Sequence, residues 1–361
     1  MIWLFTILFL PYLIILLKVY GQLRGGDQFI ATENSITRIS VVIACKNEEK
    51  DLPCLLDDLG NQDYNQDLFE VIVVDDNSTD ETYSKASLNN RIRNIKILSN
   101  AGNGKKRAIR TGVNEANGEL IITTDADCRI GKKWISTIAS FYSASFPDMI
   151  IGSVQLKSRK GFFGRFQQLE FLSLQGITMG TSLANNPVMC NGANLAFKKE
   201  VYLRHSGNIR DDIGSGDDIF LLHSLKKEPG TNIVCLNSPD GIVTTCQADS
   251  LSSFLKQRSR WISKAKSYDD PFTLLVSIVT FVTILSTLAF LILGIFDGRF
   301  LLLYLVFFLI KSVPDFLILY ETTRRFRQKH LLKWFLASQI VYPFYVIVVI
   351  CYSLLRKSSW K

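Results

Sequence analysis

"GELIITTDADC" (118–128) runs apolar and β-branched residues directly into Asp125 and Asp127, with only the small Ala126 between them. Asp is common where a strand gives way to a turn, because its side chain bonds nearby backbone. Two carboxylates on one tight turn can also hold a hard divalent cation. The surrounding sequence decides between these readings.

Upstream, strands and helices alternate. "ISVVIAC" (39–45) reads as a buried strand followed by a helix from "NEEKDLPCLLDDLGNQ", and "EVIVVDD" (70–76) as a strand followed by a helix from "STDETYSKASLNN". "NIKILS" (94–99), the basic helix "GKKRAIRTGVNEA" (104–116) and the strand ending in Asp125 complete the series. Short apolar runs separated by helices imply a parallel sheet covered on both faces, and ligands of such sheets sit beyond the carboxyl ends of the strands. Those ends are polar here: Lys46, Asn47 and Glu48; Asp75, Asp76 and Asn77; Asp125 and Asp127. So acidic a rim needs a cation before it can hold a polyphosphate, which suggests a nucleotide diphosphate bridged by Mg²⁺ or Mn²⁺. There is no G-x-G-x-x-G, and "GNGKK" (102–106) lacks the Ser or Thr that follows Lys in a Walker loop, which argues against a dehydrogenase or an ATPase.

The 361 residues suffice for one soluble domain of about 200–250 residues and further elements. Ile2 to Tyr20 holds no charge except Lys18, and Phe272 to Ile295 holds none; Phe300 to Tyr320 and Trp334 to Leu355 are two more apolar runs. Each approaches the ~20 residues that a membrane-spanning helix needs. The first run lacks a basic start, and "GQLRGGDQ" (21–28) offers no small-residue cleavage site, so an uncleaved anchor is expected. Lys18 and Arg24 place the following block in the cytoplasm by the positive-inside rule, and "ETTRRFRQKH" (321–330) agrees. The tail "RKSSWK" (356–361) does not: four spans would put Arg356, Lys357 and Lys361 outside, so the tail is an exception or one run is re-entrant. The third run is the weakest span, holding Lys311, Pro314 and Asp315. Intramembrane charges are candidates for function, but spacing of four residues favours mutual neutralisation on one helix face.

The seven cysteines include no C-x-x-C pair and read as free thiols; the three histidines leave little scope for a catalytic His or a His-rich metal site. The net charge of +8 fits membrane proximity, since "KSRKGFFGR" (157–165) and "LKQRSRWISKAK" (255–266) mix basic and aromatic residues. No nucleic-acid motif, repeat or low-complexity tract is visible. "FFGRFQQLEFLSLQGITMG" (162–180) has Phe162, Phe163, Phe166, Leu169 and Leu172 near helical spacing, as an interfacial helix or a buried one would.

"SVVIACKNEE" (40–49), "VIVVDDNSTDET" (71–82), "GKKRAIRTG" (104–112) and "TTDADC" (123–128), in this order and spacing, resemble family 2 inverting glycosyltransferases of the GT-A fold. The resemblance covers residues 38–265. "CNGANLAF" (190–197) looks like the loop closing over donor sugar and acceptor, and "SGDDIFLL" (215–222) is similar to the acidic pair that supplies the base. "QRSRW" (257–261) matches the Q-x-x-R-W of membrane-bound polysaccharide synthases and some glycolipid synthases. The resemblance implies an α/β GT-A domain with a mostly parallel sheet at 36–266, one transmembrane helix at 1–20 and a transmembrane region at 272–355 with spans near 272–295, 300–320 and 334–355.

It also implies roles. Asp125 and Asp127 would hold Mg²⁺ or Mn²⁺, with Asp125 also facing the donor. Asp76 would read the uracil, Asp75 or Glu48 would lie near the ribose, and Ala44 and Lys46 would line the pocket by backbone. Lys105 would reach the donor phosphates, or else lie on a solvated helix face, as Lys106, Arg107 and Arg110 are expected to. Asp218 would be the base, beside Asp217, although the family often has Glu at that first position; alternatively the pair merely favours a helix N-terminus. Gly192, Gln257, Arg260 and Trp261 would hold the acceptor, or Trp261 would be only an interfacial anchor.

The expected activity is transfer of a hexose or N-acetylhexosamine from a UDP-sugar to a growing polysaccharide. The alternative is single transfer to a sphingolipid, diacylglycerol or polyprenyl phosphate, since three spans after the catalytic block are a thin basis for a polymer channel. A third reading is an inactive membrane partner. Expected partners are the UDP-sugar, the acceptor and membrane lipids, in a homo-oligomer or a synthase complex, with no nucleic acid. The expected location is a bacterial inner membrane, catalytic domain in the cytoplasm.

Overall fold

The computed structural model describes residues 2–32, 35–210 and 216–355. Ser215 of "SGDDIFLL" and the tail charges Arg356, Lys357 and Lys361 lie outside the described residues. In chain order the elements begin with α1 (Ile2–Gly25), β1 (Ile39–Cys45), α2 (Leu52–Gly60), β2 (Phe69–Asp75), α3 (Thr82–Ser87), β3 (Ile95–Ser99), α4 (Lys105–Glu115) and β4 (Leu120–Asp125). Next come α5 (Trp134–Ser145), β5 (Met149–Ile151), β6 (Val154–Leu156), α6 (Phe162–Leu183), β7 (Leu195–Lys198), α7 (Lys199–His205) and α8 (Asp217–Lys226). β8 (Ile233–Cys235), β9 (Val243–Thr245), α9 (Leu251–Ser263), α10 (Pro271–Gly294), α11 (Gly298–Arg325) and α12 (Phe335–Leu355) complete the chain.

Residues 27–157 and 189–246 form an α/β unit. Its seven strands lie in the order β3-β2-β1-β4-β7-β5-β8. β1 to β4 are mutually parallel, β7 is antiparallel to β4 and β5, and β8 is parallel to β5. The sheet is the mostly parallel one expected. Every residue of β1 is buried, as a strand covered on both faces requires, and its run of Val and Ile suits that setting. Gly112 on α4 lets that helix lie directly on β1, because a Cβ there would come within 2.5 Å of Val42 Cγ1. Gly118, which opens the quoted stretch, packs on backbone: a Cβ would lie 2.6 Å from Ser40 N.

Register decides what the rim displays. Cys45 pairs with Asp75, Ala44 with Asp125, and Asp75 with Ser99, so the polar strand ends lie side by side. The chain runs outward from β1 through β2 to β3 and then returns to place β4 on the other flank of β1. This reversal between β1 and β4 is the switch point at which open α/β sheets hold ligands.

Residues 2–26, 158–188 and 247–355 form a helical unit. Residues 158–188 and 247–266 thus pack with the apolar helices, although they fall inside the 36–266 block of the sequence. Among the described residues three helices are long and apolar enough to cross a membrane: α10, α11, and the stretch Lys329–Leu355 that contains α12. α11 continues unbroken through Lys311, Pro314 and Asp315 to Arg325. Its two charges are partnered: the Lys311 ammonium donates to Asp315 Oδ2 (2.5 Å) and Gln339 Oε1 (3.2 Å), and the Tyr12 hydroxyl donates to Asp315 Oδ1 (2.6 Å). The neutralising pair is present.

Of the two readings of 162–180, the structure shows the buried one. α6 is buried on most of its surface, including Gln167, Gln168, Glu170 and Gln175. Gln167 exchanges two 3.1 Å hydrogen bonds with the backbone of Ala248. Gly176 and Gly180 on one face allow close approach of other helices: a Cβ at 176 would run into Thr322 and Ile318, and one at 180 would lie 2.5 Å from Val19 Cγ1. Small residues four apart are a common device where helices pack in lipid.

Candidate functional site

The ends of β1 and β2 are laced together. Asn47 and Asn77 both have left-handed backbone, with φ of 54° and 58°. Asn47 Oδ1 accepts from Thr79 N (2.8 Å), Asn47 N donates to Ser78 Oγ (2.9 Å), and Glu48 N donates to Thr82 Oγ1 (2.7 Å). Asp75, also buried, accepts from Ser78 N at 3.1 Å. Burial, reinforced by the Asp75 charge, pushes the Cys45 thiol well up, so it stays protonated near neutral pH.

Asp76 is fully buried. Its carboxylate accepts from Gly104 N at 2.9 and 3.0 Å and from Asn100 Nδ2 at 2.6 Å, with Lys46 Nζ 3.6 Å away. Gly104, at φ 99°, is the N-cap of α4. An anion on the first amides of a helix is favourable, and here it fixes where α4 begins. Lys105 is therefore presented at the first helical position.

The Lys105 ammonium donates to Asp125 Oδ1. Burial would lower its pKa, but Asp125, Asp217 and Asp218 together outweigh that and hold it above the ordinary lysine value. Gly192 completes the cluster. Its N–H donates to Asp218 Oδ2 (3.0 Å) and its carbonyl accepts from Thr123 Oγ1 (2.9 Å), tying the loop between β4 and α8. A Cβ at Gly192 would lie 3.7 Å from both Asp217 Oδ2 and Lys105 Nζ. The loop itself is shaped by Asn194, whose amide donates to Ser153 O (2.7 Å) and Gly241 O (2.8 Å) and whose Oδ1 accepts from Trp134 Nε1 (3.1 Å).

Asp127 Oδ2 accepts from Thr245 Oγ1 at 3.2 Å. Among the described residues no three His, Cys, Asp or Glu side chains form a metal-holding group. A Mg²⁺- or Mn²⁺-type ion shared with a diphosphate needs only one or two protein carboxylates, because the phosphates supply further oxygens. Asp125 and Asp127, on the turn that ends β4, fit that requirement.

The sequence-derived residues thus fall into three groups. Lys105, Asp125, Gly192, Asp217 and Asp218 converge, with Ala44 in register beside Asp125. Lys46, Asp75 and Asp76 form a second group around the start of α4, and Glu48 faces α3. Gln257, Arg260 and Trp261 lie on α9 in the helical unit. There Trp261 packs against Arg258, whose guanidinium carbon sits 4.1 Å from the ring centroid, and Gln257 Oε1 accepts from Arg258 at 2.7 Å.

One expectation is corrected. Lys106 is buried rather than solvated: its ammonium donates to the carbonyls of Ile209 (3.2 Å) and Arg210 (2.8 Å) and lies 4.7 Å from the Phe220 ring centroid. Arg110 also reaches a carbonyl, that of Ser206 at 3.2 Å, whereas Arg107 is exposed as expected. Sequence inspection passes over Thr123, Asn194 and Arg258. Arg258 is buried and bonds Glu170 through both Nε (3.0 Å) and a terminal nitrogen (2.6 Å); its place inside the Q-x-x-R-W stretch is the signal that marks it.

Comparison with known proteins adds to this geometry. The chain is 30% identical over 128 residues to the poly(ribitol-phosphate) beta-N-acetylglucosaminyltransferase TarS of Staphylococcus aureus, covering 34% of this chain and 22% of that protein. It is 42% identical over 96 residues to the undecaprenyl-phosphate 4-deoxy-4-formamido-L-arabinose transferase of Photorhabdus laumondii, covering 26% of this chain and 30% of that protein. The chain thus spans less than a third of the length of either relative. The mannosyltransferase PcManGT from Pyrobaculum calidifontis, solved in complex with GDP-Man and Mn²⁺, shares the fold with a TM-score of 0.57 at 19% identity, over 94% of this chain and 96% of that one. Residues 40–205 match the family described as Glycosyl transferase family 2, the same family that the motifs of the sequence resemble.

Proposed function

We propose that this chain is a membrane-bound inverting glycosyltransferase that takes a hexose or N-acetylhexosamine from a UDP-sugar. The observation that carries the reading is the convergence of Lys105, Asp125, Gly192, Asp217 and Asp218 at the carboxyl end of the sheet. Inversion requires a base that deprotonates the acceptor hydroxyl as it attacks the anomeric carbon. Asp218 supplies it, its carboxylate oriented by the Gly192 N–H, with Asp217 beside it. Lys105 offers a positive charge to the donor phosphates, and Asp76 holds the helix that presents it. Asp125 and Asp127 hold the divalent ion, which when bound offsets charge on the departing diphosphate. Asp75 and Glu48 take the nucleoside side of the pocket, with Ala44 and Lys46 contributing backbone.

The acceptor is a growing polysaccharide, taken by Gln257, Arg260 and Trp261, in a bacterial inner membrane with the catalytic domain on the cytoplasmic side. Transfer to a membrane lipid is the second reading, favoured by the modest number of C-terminal apolar helices and by the likeness to an undecaprenyl-phosphate transferase. Titration calorimetry of the full chain tests the donor assignment: UDP should bind with Mn²⁺ present and weaken sharply in a chelator, and unchanged affinity in the chelator would remove the metal. Trp261→Ala should raise the acceptor KM by about two- to tenfold, as loss of one stacking contact of about 0.5–1.5 kcal/mol does, with donor affinity intact. Normal transfer by this variant would make Trp261 an interfacial anchor only.

A further inference from the structure

Lys105 has a consequence beyond donor binding, and it rests on the reading of Asp125 and Asp127 as the metal carboxylates. Its backbone position is pinned, because Gly104 N donates to the fully buried carboxylate of Asp76. Its ammonium is largely shielded from solvent and bonds Oδ1 of Asp125, one of the two oxygens that this carboxylate could offer a divalent ion. Asp217 and Asp218 also act on that ammonium. The acid pair of α8 lies close by, since a Cβ on Gly192 would be 3.7 Å from both Asp217 Oδ2 and the Lys105 ammonium.

We propose that Lys105 holds the cation position on Asp125 until a nucleoside diphosphate arrives, so that a divalent ion binds together with the diphosphate and not before it. A carboxylate oxygen committed to an ammonium is a poor ligand, and a second cation there meets direct repulsion. An incoming diphosphate gives the ammonium an alternative anion within reach of the same side chain and frees Asp125. Lys105 acts here as a positioning residue for the ion, in addition to any contact with the donor.

Electron paramagnetic resonance of Mn²⁺ with the purified full chain reads this directly. Wild type should capture Mn²⁺ at least about tenfold more weakly without UDP than with saturating UDP, a coupling of the size seen between groups in contact. Lys105→Met should bind Mn²⁺ alone about tenfold more tightly than wild type, and Lys105→Arg should resemble wild type. Lys105→Gln replaces Lys105→Met should the latter not fold. Equal Mn²⁺ affinity of wild type with and without UDP, or no gain in the neutral variants, overturns the inference while leaving the metal carboxylates in place. Absence of Mn²⁺ binding even with UDP overturns the metal reading and this inference with it.

Discussion

Asp218→Asn should give a folded protein that binds UDP-sugar and metal almost normally yet transfers sugar about 10²–10⁴-fold more slowly, the usual loss on removing a general base. The amide keeps the size of the carboxylate, and its oxygen can still accept from the Gly192 N–H, so the loop around Gly192 should hold its shape. It cannot take a proton at neutral pH. Donor contacts belong to other side chains, which is why affinity and rate should separate. Asp217→Asn should be milder. Single-turnover rates with calorimetric donor affinities decide the matter: near-normal turnover in Asp218→Asn with a dead Asp217→Asn would assign the base to Asp217.

The second large effect is expected at the turn that opened the sequence reading. Asp125→Ala and Asp127→Ala should each weaken Mn²⁺-dependent UDP binding by more than about 100-fold, since even outer-shell partners of a metal cost 10–100-fold. Neither should unfold the protein, because both side chains lie at a strand end on the rim and not in the packed sheet. Circular dichroism should therefore match wild type. UDP affinity unchanged in both variants with Mn²⁺ would strip them of the metal role.

Much of this was legible in residues 39–128. Short β-branched apolar runs alternating with helical segments point to strands covered on both faces, and parallel strands bring the polar residues that end them to one rim. The pairing of Ala44 with Asp125 and Cys45 with Asp75 does not follow from that pattern, since register depends on which strands become neighbours. The antiparallel insertion of β7 was likewise hidden, because its four residues read only as the end of "CNGANLAF". Lys106 looked solvated because the carbonyls it bonds, at Ile209 and Arg210, lie about a hundred residues away in sequence. The burial of α6 was half visible. Gly176 and Gly180 were in plain sight in "GITMG", but the polar Gln167 and Glu170 obscured the pattern until their partners, Ala248 and Arg258, were placed beside them.

Sugar transfer itself can be read in membranes. Membranes containing the full chain are incubated with a panel of labelled UDP-sugars and Mg²⁺ or Mn²⁺, and lipid and polymer fractions are then extracted and counted. At least one sugar should enter one fraction, with an equal amount of UDP released, and the label should disappear in Asp218→Asn. A chain that binds UDP-sugar and Mn²⁺ but moves no sugar into either fraction with any donor would be an inactive partner and not a transferase.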